Sequence, residues 1–348
     1  MTPTERLAVV LPLLTEWYRQ NKKDLPWRRE PTPYHVWISE IMLQQTRIEA
    51  VIPYYERFLK ELPDLRSLAE VPEEKLMKLW QGLGYYSRAR NLKKAAEKVM
   101  SDYGGELPAD AKKLRSLPGI GDYTAGAIAS IAYGLPEPAV DGNVLRVVMR
   151  LTARDDDIML PEIRTRTANE LRSLYPAGRE AGLLTEGLME LGELVCIPNG
   201  EAKCENCPVA SHCLAREVGR VDELPVRIVK SNRKKENRTV FLLSDGERFA
   251  LDKRPEKGLL AGMYEFPNVP GELSEKEAKK QLAEWGIQVK KIKPCGKTKH
   301  IFTHIEWQMA GYLVECELSD RFLFRTAAEI LSDYAVPTAF SFYTKQLF

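Results

Sequence analysis

The chain has 348 residues, 44% of them hydrophobic, and a formal net charge of +2 at pH 7. This length allows about two domains, each with its own core. The charge balance gives no strong signal for a polyanionic partner, and no apolar run reaches membrane-spanning length, which predicts a soluble protein that is not exported.

Residues 1 to about 220 are predicted to be nearly all helical. Apolar residues recur there with a spacing near 3.6, and prolines and glycines separate the periodic runs. The predicted helices cover residues 7–18, 36–59, 65–79, 89–99, 114–132, 144–151 and 183–195.

The predicted helix 36–59 contains a candidate catalytic residue, Glu40, whose neighbours are mostly apolar. In a helix, the residues one turn away from it are Val36, Trp37, Leu43 and Gln44. Burial raises the pKa of a carboxyl group, which suits a general acid at neutral pH. A glutamate that extends to solvent from the edge of a core helix fits the same pattern.

Residues 82–91 then bring paired tyrosines together with glycines and arginines. Tyr85 in such a segment can stack on bases while Arg88 holds a phosphate. Tyrosines that pack on the core are the ordinary alternative.

Residues 117–126, Leu-Pro-Gly-Ile-Gly-Asp-Tyr-Thr-Ala-Gly, predict a helix-hairpin-helix turn. Gly119 and Gly121 permit a tight bend, so that N–H groups at the start of the second helix can point at a phosphate oxygen. An ordinary helical hairpin is equally compatible with the glycines alone.

Asp141 precedes Gly142 and the helical pattern 144–151. An Asp-Gly pair is most often a turn, and here it also fits a helix N-cap. An N-cap position predicts a lowered pKa for Asp141, opposite to the expectation for Glu40. Two carboxyl groups with opposite shifts can take the roles of acid and anion.

Four of the six cysteines, Cys196, Cys204, Cys207 and Cys213, fall within eighteen residues. Such clustering without an export signal favours a metal site over disulfides. Four thiolates at these spacings can hold either a 4Fe-4S cluster or zinc.

After residue 220 the pattern changes. Residues 221–238 are basic and weakly periodic, which predicts a linker that is either solvated or close to a phosphate backbone. Strands are predicted at residues 240–243, 249–251, 263–266 and 301–316, with one helix at 276–285.

Residues 117–126, followed by Val-Asp-Gly-Asn-Val at 140–144, resemble the helix-hairpin-helix DNA glycosylase superfamily. Residues 258–267, Gly-Leu-Leu-Ala-Gly-Met-Tyr-Glu-Phe-Pro, resemble the Nudix-like C-terminal domain of its adenine-specific branch, the MutY family. The resemblance covers nearly the whole chain. It implies a multi-domain α and α+β fold, with an all-helical glycosylase domain at 1–220, a linker at 221–238 and a Nudix-like α/β domain at 239–348.

The same resemblance implies a 4Fe-4S cluster in the loop 196–213, held by the four clustered cysteines. The first gap between them is seven residues rather than the usual six, an insertion that a loop accommodates easily. In the Nudix-like domain, Lys280, Ala283 and Glu284 occupy the places of three magnesium-binding acidic residues, so nucleotide hydrolysis there is not expected.

Site residues follow from the resemblance position by position. Glu40 corresponds to the general acid and Asp141 to the catalytic aspartate, while Tyr123 replaces the Schiff-base lysine of endonuclease III homologues and implies a monofunctional glycosylase. The adenine pocket is expected to contain Trp27, Arg28 and Glu186. DNA contacts are expected at Leu43, Gln45, Tyr85, Arg88, Gly119, Gly121 and Asn143. Recognition of 8-oxoguanine is expected at Phe302, Thr303 and His304, where threonine replaces the family's serine.

The resemblance therefore implies base excision repair of adenine opposite 8-oxoguanine or guanine in double-stranded DNA, by a monomeric cytoplasmic protein associated with the bacterial nucleoid. Three alternatives remain at this stage. They are an endonuclease III-like pyrimidine glycosylase and lyase, a noncatalytic iron-sulfur protein that binds DNA lesions, and a nucleotide pyrophosphohydrolase with a helical appendage.

Overall fold

A computed structural model describes residues 1–228 and 233–348, and helices dominate its first part whereas strands dominate its second. Residues 1–70 and 91–228 form one unit, here called the helical unit. Residues 71–90 and 233–348 form a second one, the sheet unit. Within the described ranges, no helix is both long and apolar enough to cross a membrane.

Thirteen α-helices precede the first strand in the described chain. They are α1 (Pro3–Asn21), α2 (Pro26–Arg29), α3 (Pro33–Leu43), α4 (Ile48–Glu61), α5 (Leu65–Glu70), α6 (Glu73–Trp80), α7 (Ser87–Asp102), α8 (Ala111–Arg115), α9 (Asp122–Ala127), α10 (Gly142–Thr152), α11 (Pro161–Arg172), α12 (Arg179–Leu194) and α13 (Leu214–Glu217). A π-helical turn, Ile128–Ala132, continues α9, and 3-10 turns form at Cys204–Asn206 and Ala210–His212.

Three of the segments predicted as helical from periodicity are divided in the structure, and 114–132 is divided at the predicted hairpin, between α8 and α9. The segment 36–59 contains the end of α3 and most of α4, because the chain turns after Leu43 and Gln45 adopts a positive φ of 61°. The segment 65–79 is divided between α5 and α6 by Pro72, which is the N-cap of α6. Proline disfavours helical backbone at the residue before it, so a helix ends there. Helix α11 was missed because its sequence is mostly polar.

The core of the helical unit lies where α1, α10 and α12 pack together. Leu14, Val148 and Leu188 are among the side chains that are almost completely buried there. Each such side chain stabilises the fold by about 1.5 to 3 kcal/mol relative to an exposed position. This packing brings the start of α10 and the middle of α12 to the same side of the unit.

The predicted helix-hairpin-helix lies between α8 and α9. Gly119 has a φ of 77°, and a Cβ atom there would lie 2.6 Å from the Cβ of Asn91, so only glycine fits. Gly121 is the N-cap of α9, and its carbonyl accepts a hydrogen bond from the N–H of Ala125 at 2.9 Å. The chain therefore makes the tight turn that the glycines predicted.

Seven strands and three α-helices form the rest of the sheet unit after residue 233. The strands are β1 (Lys234–Ser244), β2 (Arg248–Lys253), β3 (Tyr264–Glu265), β4 (Asn268–Pro270), β5 (Val289–Ile301), β6 (Ile305–Cys316) and β7 (Leu323–Thr326). The helices are α14 (Glu275–Glu284), α15 (Ala327–Asp333) and α16 (Ser341–Thr344). Strand β1 is central: it runs parallel to β6 and antiparallel to β2 and β4.

Side chains on β1 alternate between two apolar clusters. Val240 and Leu242 pack with Phe340 and Tyr343 from the C-terminal segment, whereas Phe241 packs with residues of α14 and its surroundings. Such alternation is the period of two expected for a strand that is covered on both faces.

Two predictions for this half of the chain need correction. The single strand expected at 301–316 is the end of β5, a turn at 302–304 and β6, since the N–H of Phe302 bonds the carbonyl of Ile305 and reverses the chain. Residues 234–238, expected in the linker, belong to β1 because they pair with β6. Residues 229–232 of that linker lie outside the described residues.

Candidate active site

A cavity of about 360 Å³ opens in the helical unit at the ends and faces of several helices. Six of the polar side chains that line it are Arg28 from α2, Glu40 from α3, Tyr123 from α9, Asp141 at the start of α10, and Glu186 and Glu190 from α12. Residues from distant parts of the sequence thus converge on one pocket, here called the acidic pocket.

Glu40 is the most clearly perturbed carboxyl group of this pocket. Its residue is 6% exposed, and one carboxylate oxygen accepts a hydrogen bond from the hydroxyl of Tyr123 at 2.5 Å. Burial raises the pKa of Glu40 to about 7, although the Tyr123 hydrogen bond acts in the opposite direction. The carboxyl group can therefore hold a proton at neutral pH and release it, as a general acid must.

Asp141 caps α10, as the sequence predicted. One carboxylate oxygen accepts the N–H of Val144 at 2.8 Å, and the other accepts the amide Nδ2 of Asn143 at 2.9 Å. The predicted direction of its pKa shift was wrong: burial raises the pKa of Asp141, although these hydrogen bonds lower it. Sequence identified the cap but gave no measure of how deeply the pocket buries it.

Asn143 was expected to contact DNA, and the structure places its side chain against Asp141. While its Nδ2 donates to Asp141, its Oδ1 accepts from Nη2 of Arg146 at 2.8 Å. Gly192 on α12 leaves room for this arrangement, since a Cβ there would lie 2.7 Å from the Cβ of Asn143. Asn143 therefore holds the aspartate in one orientation.

Tyr123 lies between the two helices that carry Glu40 and Met189. Its hydroxyl donates to Glu40 and also lies 3.6 Å from the Met189 sulfur. A phenol has no amine with which to attack a sugar carbon and form a Schiff base. Its observed contact is instead with the acid.

The other wall of the acidic pocket is a buried ion network around Arg28. Its guanidinium lies 2.6 Å from a carboxylate oxygen of Glu190 and 3.3 Å from one of Glu186. The ring of Tyr18 lies beneath it, with its centroid 5.3 Å away. Burial raises the pKa of Glu186. Glu190 was missed by the sequence analysis, although its position one helical turn after Glu186 was a usable signal.

Trp27 lines the same cavity and is 6% exposed, with its ring packed edge-on against Tyr55 at 5.4 Å. Leu43 and Gln45 also line it, beside the turn that ends α3. The structure thus brings the three expected base-binding residues to one cavity, together with three of the expected DNA-contacting residues, Leu43, Gln45 and Asn143.

The four clustered cysteines line a second, small cavity of about 30 Å³ beside α10. Two buried arginines of α10 hold their loop: Nε of Arg146 donates to the Cys196 carbonyl at 2.6 Å, and Nη1 of Arg150 donates to the Cys196 sulfur at 3.2 Å. Among the described residues, no three His, Cys, Asp or Glu side chains are gathered as ligands of a single metal ion. Four thiols thus surround one cavity, with cationic neighbours that could balance thiolate charge.

Tyr85 lies in the loop before α7 and Arg88 lies in the first turn of α7, both in the sheet unit. Nη2 of Arg88 donates to the carbonyls of Leu83 and Gly84, at 3.0 and 3.2 Å, so the arginine expected on DNA supports the loop that carries Tyr85. Tyr85 is 48% exposed and has a positive φ of 48°. Its hydroxyl lies 2.8 Å from the Oγ1 of Thr303, which puts two predicted DNA contacts side by side.

The tip of the β5–β6 hairpin holds the other two predicted residues. Phe302 packs edge-on against Trp307 at 5.0 Å, which anchors the turn, whereas Thr303 and His304 are exposed. The anchored phenylalanine leaves the two polar side chains at the surface.

Comparison with known proteins gives these observations a family. Residues 38–173 match the HhH-GPD superfamily of base excision DNA repair proteins, and residues 239–346 match the NUDIX domain. The adenine DNA glycosylase of Buchnera aphidicola subsp. Acyrthosiphon pisum is 32% identical over 293 residues, which cover 84% of this chain and 82% of the relative. The chain belongs to the adenine DNA glycosylase family.

Other adenine DNA glycosylases are similar to this chain as well. The rat enzyme is 34% identical over 362 residues, 87% of this chain and 70% of the relative. The human enzyme is 34% identical as well, and the chain spans 66% of its length. Membership places the chain among base excision repair enzymes, which hydrolyse N-glycosyl bonds. The buried carboxyl groups of the acidic pocket are the kind of groups that such hydrolysis needs.

Solved structures support the fold of the helical part. A thermostable thymine-DNA glycosylase has a TM-score of 0.55 and 28% identity, over 62% of this chain and 98% of that protein. An endonuclease III–DNA complex has a TM-score of 0.53 at 24% identity, over 63% of this chain and 99% of that one, and shows the fold alone. In this chain, a NUDIX domain follows a helical part that shares its fold with these proteins.

Proposed function

We propose that this chain excises adenine mispaired with 8-oxoguanine or guanine in double-stranded DNA, as a monofunctional glycosylase. The observation that carries the proposal is the hydrogen-bonded pair of Glu40 and Tyr123 in one cavity with Asp141. Because the target bond is inaccessible inside a duplex, the adenine must leave the stack and enter this cavity.

The first chemical step is protonation of the base. Glu40 gives its proton to N7 of adenine, the N-glycosidic bond breaks, and its electron pair goes to N9 of the departing base. The sugar becomes oxocarbenium-like, and the Asp141 carboxylate stabilises the positive charge or bonds transiently to C1′. Water then attacks C1′ while Glu40, now ionised, takes a proton from it. Where Asp141 has bonded to C1′, that bond breaks in this step and its electron pair returns to the carboxylate.

The wall around Arg28 holds the base. Trp27 offers an aromatic face, and the Glu186 carboxyl can accept a hydrogen bond from the 6-amino group of adenine. A carboxyl group with a raised pKa is also able to donate to a ring nitrogen when it is protonated. The first of these interactions favours adenine over bases that lack its amino group.

A lyase step is not expected, because Tyr123 holds the place that a Schiff-base amine would need. The product is therefore an abasic site in an uncut strand. The contact between Tyr123 and Glu40 supports this assignment, since it gives the tyrosine a role in the hydrolytic step instead.

DNA binding is assigned to two kinds of contact. The hairpin around Gly119 and Gly121 offers backbone N–H groups to a phosphate, which fixes the register of the duplex. Leu43 and Gln45 in the helical unit, and Tyr85 in the sheet unit, enter the duplex near 8-oxoguanine, and Phe302, Thr303 and His304 recognise that base. Arg88 supports the loop that carries Tyr85, and Asn143 orients Asp141. The protein acts as a monomer on DNA in the cytoplasm, at the bacterial nucleoid.

The cofactor is a 4Fe-4S cluster held by Cys196, Cys204, Cys207 and Cys213. When it is bound, it fixes the loop that covers α10, and no redox step is assigned to it. Arg146 and Arg150 connect that loop to the helix that Asp141 caps, so the cluster's loop supports the catalytic aspartate.

The test uses duplexes with adenine opposite 8-oxoguanine, guanine, cytosine or thymine. Under single-turnover conditions, we expect excision from the first two and little from the others, and strand cleavage only after alkali treatment. Strand cleavage without alkali would contradict the monofunctional assignment. Removal of thymine glycol in place of adenine would overturn the proposed substrate.

A further inference from the structure

Glu190 has no part in the proposed chemistry, yet it is a charged residue that is only 3% exposed. One of its carboxylate oxygens lies 2.6 Å from Nη1 of Arg28, and the other accepts the backbone N–H of Lys23 at 3.3 Å. Both contacts hold the segment that carries Arg28 against α12. Buried carboxylates are retained in proteins only when they are paired in this way.

Glu190 and Glu186 lie one turn apart on the same face of α12, so their like charges repel each other. Arg28 lies between them and is the cation that both ion pairs share. The contact to Glu190 is the shorter one, at 2.6 Å against 3.3 Å to Glu186. The guanidinium therefore pairs mainly with Glu190, and its ion pair with Glu186 is the weaker one.

Further contacts fix the same guanidinium. Nη1 of Arg28 donates to the Lys23 carbonyl at 3.3 Å, and the Tyr18 ring lies beneath it. Gly187 permits the close approach of Tyr18, because a Cβ there would lie 3.1 Å from the Tyr18 Cβ. The Arg28 side chain is therefore set in place from several sides before any base enters.

We propose that Glu190 is a positioning residue for adenine selection: it binds the Arg28 guanidinium, and so keeps Glu186 available to hydrogen-bond the 6-amino group of the base. The inference rests on the proposed function, because it assigns Arg28 and Glu186 to an adenine pocket. Without the Glu190 carboxylate, Arg28 has one carboxylate partner left in this network. It then moves to Glu186 and occupies the oxygens that the amino group needs.

This arrangement predicts a change in selectivity as well as in rate. Purine lacks the 6-amino group, so it cannot donate the hydrogen bond that a free Glu186 carboxylate accepts. Loss of Glu190 therefore slows excision of adenine more than excision of purine. If the role of Glu190 is merely structural, its loss slows the excision of adenine and of purine by the same factor.

The experiment compares wild type, Glu190→Gln and Glu190→Asp, with Glu180→Gln as the matched control. Glu180 lies on the same helix and pairs with Arg19 at the surface, outside the acidic pocket. Single-turnover excision of adenine and of purine, each opposite 8-oxoguanine, is measured for every protein. Thermal melting of each variant reports whether it is folded.

For Glu190→Gln we expect adenine excision to fall at least about tenfold and the adenine-to-purine ratio of rates to fall severalfold. Glu190→Asp keeps the charge on a shorter side chain and should restore part of the ratio, whereas Glu180→Gln should match wild type. An unchanged ratio in Glu190→Gln would overturn the inference, whatever the absolute rates. If Glu190→Gln does not fold, the ratio for Glu190→Asp decides in the same way.

Failure of the proposed function gives a different result, since wild type itself would then leave adenine in place opposite 8-oxoguanine. The positioning contact can still be tested directly. A crystal structure of Glu190→Gln should show Arg28 shifted onto Glu186, and an unmoved guanidinium would overturn the inference independently of any activity.

Discussion

The acidic pocket of the helical unit and the β5–β6 hairpin tip of the sheet unit differ in how far their functional side chains are buried. In the pocket, Glu40 is 6% exposed and already hydrogen-bonded to Tyr123, whereas near the tip Tyr85 is 48% exposed. Burial sets proton affinity, which acid catalysis requires. Exposure leaves hydrogen-bonding groups accessible to a base in DNA.

The two regions also differ in how their functional groups are held. Asp141 is fixed by two hydrogen bonds at the start of a helix whose arginines bind the cysteine loop. The Thr303 hydroxyl lies beside the exposed Tyr85 hydroxyl, in a turn anchored by Phe302. Substitutions in the pocket should therefore change rates strongly, and those at the tip should change selectivity modestly.

The largest effect is expected for Glu40→Gln. Glutamine cannot supply a proton to N7, so single-turnover excision of adenine should fall by about 10² to 10⁴-fold or more, the usual range for loss of a general acid. Binding to the mispaired duplex should stay within a few-fold of wild type, because the shape of the side chain is kept. Equal excision rates for variant and wild type would remove Glu40 from the mechanism.

An intermediate effect is expected for Tyr123→Phe, as a shift in the pH dependence of the excision rate. A general acid works in its protonated form, so the wild-type rate should be level below the Glu40 pKa of about 7 and fall tenfold per pH unit above it. The Tyr123 hydroxyl stabilises the ionised carboxylate and so lowers the pKa of Glu40. Its removal raises that pKa, and the falling limb should move to higher pH by about one unit, as expected for loss of one hydrogen bond to a charged group.

The control for this shift is the Glu40→Gln background, in which Tyr123→Phe should produce no pH-dependent change because the titrating carboxyl group is gone. If the excision rate of Tyr123→Phe falls at the same pH as that of wild type, the hydroxyl does not act through Glu40.

Sequence was sufficient for the parts of the site that depend on local pattern. Glu40 on an apolar helical face, the Asp141 N-cap and the glycine turn around Gly119 each follow from spacing within a few residues. The structure confirms these positions. The presence of a helical glycosylase part and a C-terminal NUDIX part also followed from sequence, and both families match the chain.

The predictions that were wrong or missing concern properties that depend on the whole fold. The direction of the Asp141 pKa shift depends on burial by distant helices, which outweighs the local hydrogen bonds that the sequence revealed. Glu190 was missed because its partner, Arg28, is more than a hundred residues away along the chain. Residues 71–90 group with the sheet unit for a similar reason: Gln81 donates to the Val336 carbonyl at 2.9 Å, a contact that no local pattern indicates.

The smallest effect is expected at the hairpin tip, for Thr303→Ala. Its hydroxyl is exposed and bonds Tyr85, so its loss removes one hydrogen-bonding group from the surface assigned to 8-oxoguanine. One neutral hydrogen bond contributes about 0.5 to 1.5 kcal/mol, which corresponds to a change of about two- to twelvefold. The preference for adenine opposite 8-oxoguanine over adenine opposite guanine should fall by that factor, while the rate opposite guanine stays unchanged. Thr298→Ala on β5 removes the same group elsewhere on the hairpin and should leave the preference intact. An equal loss in both variants would mean that the tip contributes through stability of the hairpin rather than through recognition.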